Sequence, residues 1–104
     1  MSIAFVIPGH LRQFTGGRGQ VLVEGGAASV SAALALLWAA HPAVRDRVLT
    51  ELGEVRAHIN VFVDGENIRN SGGLATPIRD GAEIVILPAI SGGLPLLRVR
   101  RLPR

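Results

Sequence analysis

The 104-residue chain has no cysteine. That excludes disulfide scaffolding, thiolate metal sites, thiol redox chemistry and persulfide relay through its own side chains. Lysine is missing as well, all eleven basic residues being arginine, so the chain cannot be built into lysine-linked polymers of itself. Long apolar runs are also absent. The longest, near Ala32 to Ala40, is far short of a membrane span, and the segment Met1 to Pro8 lacks the basic flank and long apolar core of a secretory signal. The expectation is a cytoplasmic protein that does not engage a membrane.

What is present is enough apolar residue, 48% of the composition, for one modest core, and a length that holds one small domain. The formal net charge of +3 invites a nucleic-acid reading until its position is considered. Residues 1–93 carry seven arginines against eight acids, whereas residues 94–104 carry four arginines and no acid. The near-neutral body offers no stripe for phosphate contacts, and the tail alone provides only weak, salt-sensitive attraction to a polyanion. No nucleic-acid partner is expected.

Hydrophobic periodicity sets the order of elements. Ile3, Phe5 and Ile7 alternate with Ala4 and Val6, a strand pattern ended by Pro8-Gly9. A second strand near Gln20 to Glu24 follows the glycine-rich turn at 15–19, which suggests an N-terminal hairpin. Val30, Ala33, Leu34, Leu37, Trp38 and His41 then form one stripe of a helix beginning near Ser29, with Ser29 and Ser31 as helix-start residues. Pro42 closes that helix or opens a new turn. A shorter charged helix is predicted over Ala43 to Leu52, stopping at Gly53. Further strands are predicted at His58 to Val63 and Glu83 to Pro88, with Asp64-Gly65 and Asp80-Gly81 as turns. This order is that of an α+β, β-grasp (ubiquitin-like) domain, a mixed sheet packed on one main helix, although other short α+β domains share it.

The last strand leads into Leu87-Pro88-Ala89-Ile90-Ser91-Gly92-Gly93. Gly-Gly pairs also occur at 16–17, 25–26 and 72–73, where turns or linkers are the natural reading. Only the pair at 92–93 follows a strand, a proline and a short arm. Ala89 to Gly93, fully extended, reach roughly 17 Å at ~3.4 Å per residue. Without Cβ atoms, the two glycines can thread a channel too narrow for side chains.

Three segments carry a family resemblance: Ile59 to Arg69, Gly72 to Ile78, and Asp80 to Gly93. Together they resemble the second half of the ubiquitin-like sulfur carriers, which include the small subunit of molybdopterin synthase, the thiamin sulfur carrier and the carrier of an actinobacterial route to cysteine. The likeness is strongest to the last, through the Ser-Gly-Gly-Leu-Ala-Thr loop at 71–76 and the Ile-Leu-Pro-Ala run at 86–89. Before residue 58 it weakens to Ile7-Pro8, Leu11-Arg12 and Thr15-Gly16-Gly17.

The resemblance implies a definite chemistry. In the family an E1-like adenylyltransferase uses ATP and Mg²⁺ to adenylate the terminal glycine carboxylate, and a sulfur donor displaces AMP to leave a thiocarboxylate. A sulfur-accepting synthase then consumes it. Carried over by position, Gly93 is the thiocarboxylate carrier, and Ala89, Ile90, Ser91 and Gly92 form its arm. The carrier contributes no catalytic residue and holds no cofactor; ATP and Mg²⁺ belong to the activating partner. Ser91 stands where alanine is common. Leu94 to Arg104 depart from the family pattern, so the resemblance implies a domain at 1–93, a basic extension at 94–104 and processing between Gly93 and Leu94. The peptidase it implies is a zinc metalloprotease of the kind associated with ubiquitin-like tails.

Other features point less far. His10, His41 and His58 lack ligand or triad spacing and read as structural or surface residues. Phe62 shares a strand face with Asn60. That face is either simply packed or an exposed apolar patch suited to a partner. Two other function classes stand beside the carrier: a docking subunit that keeps its tail, and a ubiquitin-like protein modifier.

Overall fold

The computed structural model describes residues 2–89. Five strands form one mixed sheet: β1 (Ser2–Val6), β2 (Gln20–Glu24), β3 (Ile59–Val63), β4 (Glu66–Asn67) and β5 (Glu83–Pro88), in the order β2-β1-β5-β3-β4. β1 is antiparallel to β2 and parallel to β5, and β3 is antiparallel to both β5 and β4. Two helices, α1 (Val30–Ala40) and α2 (Pro42–Val48), cover one face. This is the expected β-grasp arrangement.

Strand alternation builds the core. Ile3 and Phe5 of β1, Ile59 and Val61 of β3, and Ile84 and Ile86 of β5 are buried on the helix side, joined by Ile7 just beyond β1. They meet Val30, Ala33, Leu34 and Leu37 from α1 and Val44 and Val48 from α2. Burial of apolar surface is worth roughly 25 cal/mol per Å², so this contact is the main stabilising term. Ser29 is the N-cap of α1, its hydroxyl accepting from the amide of Ala32 at 3.2 Å. Ser31 lies exposed in the first turn. Pro42 both ends α1 and opens α2, where its missing N–H is not needed.

Several local expectations are corrected. The connection from β1 to β2 is not a bare glycine turn: residues Gly9–Phe14 form a 3-10 helix that buries Leu11. The second helix does not run from Ala43 to Leu52 but ends at Val48. Leu49 turns extended, is buried, and forms a bridge with Val55, leaving Leu52 84% exposed. The Thr50 hydroxyl accepts from the amides of Leu52 and Glu54 at 3.2 and 3.3 Å, closing a turn before a further helical turn can form. β3 begins at Ile59 rather than His58, and after two residues of β4 the chain enters 3-10 turns at Ile68–Asn70 and Gly73–Ala75.

The loop at 71–76 is structural, as read from the sequence. The carbonyl of Thr76 accepts from the Val30 amide at 2.9 Å, tying the loop to the first turn of α1. The Thr76 hydroxyl donates to the Gly73 carbonyl at 2.6 Å.

Candidate functional site: the arm root and the outer sheet face

β5 lies in the middle of the sheet, held by β1 on one side and β3 on the other. Pairing continues to its end: Ile59 lies opposite Pro88, and the Ala89 amide donates to the His58 carbonyl at 2.7 Å. Ala89 is exposed and is the first residue of the expected arm. The remaining expected arm and processing residues, Ile90, Ser91, Gly92, Gly93 and Leu94, lie outside the described residues.

Side chains that alternate away from the helices form the other face. Phe62 lies between Val85 on β5 and Asn67 on β4, and Val85 in turn is opposite Val6 on β1. Phe62, Val85, Val6, Ala4 and Leu87 are each half-buried by their neighbours alone, with no second layer above them among the described residues. Phe62 is therefore on the face predicted for it, at the centre of an apolar strip that runs beside the root of the arm. A contiguous apolar surface of this kind marks an interaction site more often than a scattered exposed residue does.

A polar group borders the strip. β4 covers only Val63 and Phe62 of β3, so the β3 edge at Asn60 has no strand beside it. Asn67 donates from Nδ2 to the Asn60 Oδ1 at 3.3 Å, and the Arg69 guanidinium bonds the same oxygen while also donating to the Arg56 carbonyl at 3.1 Å. Arg69 thus closes the bare edge next to the strand pair that carries the arm. The sequence reading did not single out this residue. The signal was present: continuing the hairpin register from the Asp64-Gly65 turn puts Arg69 opposite Asn60.

On the helix side, Arg69 also lines a cleft of about 280 Å³ with Val55, Val61, Ile68, Leu74 and Glu54. Among the described residues no group of His, Asp and Glu is arranged to hold a metal ion. His10, His41 and His58 stand apart along the chain, with His10 and His58 exposed.

The chain matches the ThiS family over residues 5–93. It belongs to that family of ubiquitin-like sulfur carriers. It is 36% identical over 95 residues to the "Sulfur carrier protein CysO" of Mycobacterium tuberculosis, covering 89% of this chain and 100% of the relative. Among solved structures, it superposes on a chain of the Amycolatopsis orientalis BexX/CysO complex with a TM-score of 0.78 at 35% identity, covering 88% of this chain and 99% of that one. The crystal structure of SAMP1 from Haloferax volcanii gives a TM-score of 0.73 at 34% identity, covering 89% and 100%. These likenesses agree with the observed β-grasp sheet. The described part contains no helix long and apolar enough to cross a membrane.

Proposed function

We propose that this chain is a sulfur carrier protein that acts as a co-substrate of partner enzymes, with Gly93 as its reactive end. The observation that carries this reading is the extent of the family match. It ends at residue 93, four residues beyond Ala89, whose amide makes the last described bond of the β3–β5 ladder. In this reading residues 1–93 form the working domain. The basic extension 94–104 is removed by hydrolysis of the Gly93–Leu94 amide, by a zinc metalloprotease.

The chemistry then needs no side chain of this protein. The freed Gly93 carboxylate attacks the α-phosphorus of ATP on an E1-like adenylyltransferase, Mg²⁺ neutralising the phosphates, and pyrophosphate leaves. A carboxylate is a poor electrophile until its oxygen becomes part of a good leaving group, which AMP now is. Hydrosulfide attacks the acyl carbon, the C–O bond to AMP breaks, and a thiocarboxylate remains for the sulfur-accepting synthase. Ala89 to Gly92 supply reach. The strip around Phe62 supplies the docking face, close enough to the arm root for one partner to hold the body and receive the arm.

The test is mass spectrometry on both forms. The 1–93 chain, incubated with its cognate E1-like enzyme, ATP, Mg²⁺ and sulfide, should gain about 16 Da as one oxygen is replaced by sulfur. The full chain should not change, because its Gly93 carbonyl is held in an amide. Equal reaction of both forms would point to another site. Protein isolated from its own cells should also end at Gly93, and recovery of full-length chain alone while the pathway is active would refute the processing step.

Likeness to SAMP1, a small archaeal modifier protein, supports a second reading in which Gly93 is joined to amino groups of other proteins. The same activated carboxyl would serve. Proteomic capture of Gly93 isopeptides, rather than thiocarboxylate, would favour it.

A further inference from the structure

The sheet has two edges, and they differ. The β4 edge is two residues long and passes directly into a 3-10 helix, so it presents almost no free ladder. β2 is the opposite edge, a full five-residue strand, Gln20-Val21-Leu22-Val23-Glu24. It contains no proline or bulge, and its single charge, Glu24, stands at its last position.

Which backbone groups are free follows from one bond. The Ile7 amide donates to the Gly19 carbonyl at 2.9 Å, in the same register as the β1–β2 pairs. Hydrogen-bonded and non-bonded pairs alternate along an antiparallel ladder. Val21 and Val23 therefore bond to β1, while the N–H and C=O groups of Gln20, Leu22 and Glu24 point outward. The Ala4 amide donates to Ala82, away from β2, as this alternation requires. No described backbone or side-chain bond reaches those outward groups. The Leu22 side chain is 70% exposed, on the sheet face away from the helices.

We propose that the free edge of β2 pairs with β2 of a second copy of this chain, antiparallel about a two-fold axis at Leu22. The strand is complementary to itself in that register. Leu22 faces Leu22 across the axis as a hydrogen-bonded pair, which is the kind its outward amide and carbonyl can make. Gln20 faces Glu24 on both sides of the axis, so an amide meets a carboxylate and no two like charges are opposed. Beyond them Gly19 faces Gly25, and the exposed Arg18 faces Gly26, so each long side chain meets a residue with none. An isologous contact of this type closes on itself as a dimer with one continuous sheet. It does not depend on the proposed carrier chemistry. β1 separates β2 from β5, so the root of the arm stays roughly 10 Å from the new ladder at ~4.8 Å per strand.

One short strand pair buries little surface, which makes the dimer weak and reversible. Sedimentation equilibrium of the full chain from ~10 μM to ~1 mM should show monomer converting to dimer. Over the same range, amide hydrogen exchange should slow at Gln20, Leu22 and Glu24 and stay constant at Val21 and Val23. Leu22→Pro removes an outward donor that β1 does not use, and Leu22→Arg sets two guanidinium groups across the axis; both should remain monomeric. A chain that is monomeric up to ~1 mM overturns the proposal, as does a dimer in which the Leu22 amide gains no protection or one that both variants leave intact.

Discussion

The Ala89 amide donates to the His58 carbonyl at 2.7 Å, and this bond is the last rung of the described β3–β5 ladder. Up to it the chain is fixed as a central strand. The body and the arm are therefore separable for mutation, and variants on either side of Ala89 should give different phenotypes.

On the body, Phe62→Ser removes the centre of the outer apolar strip without touching the buried face. Binding to the activating partner should weaken about tenfold or more, the loss expected for an aromatic anchor. The melting temperature should fall only modestly, since Phe62 is half-buried in the free protein. Titration calorimetry and thermal unfolding on the same sample separate the two effects.

On the arm, Gly92→Val should slow adenylation of the 1–93 form by at least tenfold, an obstacle of a β-branched side chain in a channel shaped for glycine. Circular dichroism and melting temperature should match the parent. Unchanged adenylation would show that the partner's channel is wide.

Removal of residues 94–104 should leave the melting temperature within a few degrees. Among the described residues the buried cluster runs from Ile3 to Ile86, and Pro95, Pro103 and four arginines make the extension a poor candidate for packed structure. A large drop would mean that Leu94, Leu96 and Leu97 pack on the body, favouring the docking-subunit reading.

The β3–β4 turn should be sensitive to its glycine. Asp64 and Gly65 have φ of 49° and 91°, both positive as a tight hairpin requires. Gly65→Val should cost about 1–3 kcal/mol in chemical denaturation, because a β-branched residue is strained there although no neighbour crowds the site. Asp64→Ala should also destabilise, since the Asp64 carboxylate accepts from the Glu83 amide at 3.0 Å and fixes the start of β5.

Elements with a clear period were legible in the sequence. The alternation at Ile3, Phe5 and Ile7 and the stripe from Val30 to Leu37 located β1 and α1, and Gln20–Glu24 and Glu83–Pro88 were placed to the residue. The second helix was overextended because Val44, Val48 and Leu52 keep a helical spacing, whereas the Thr50 hydroxyl and the Leu49–Val55 bridge favour a turn. The 3-10 helix at Gly9–Phe14 is not legible because it buries Leu11 alone, and a single buried residue sets no period. At the site, strand alternation was enough to put Phe62 on the outer face. Arg69 is hidden for a different reason: the hairpin register sets it opposite Asn60, but alternation does not show that β4 stops after Asn67 and leaves its guanidinium to bond both Asn60 and the Arg56 carbonyl.

The central position of β5 has a mechanical consequence. In the proposed function, an enzyme that draws residues 90–93 into a channel loads the C-terminal end of this strand, and a pull along its axis meets hydrogen bonds to β1 and β3 that run across it. The two ladders then carry the load together in shear, instead of opening one rung at a time as an edge strand would when peeled. A partner can tug on the arm and leave the domain folded, which is what a carrier that makes repeated visits to enzymes requires.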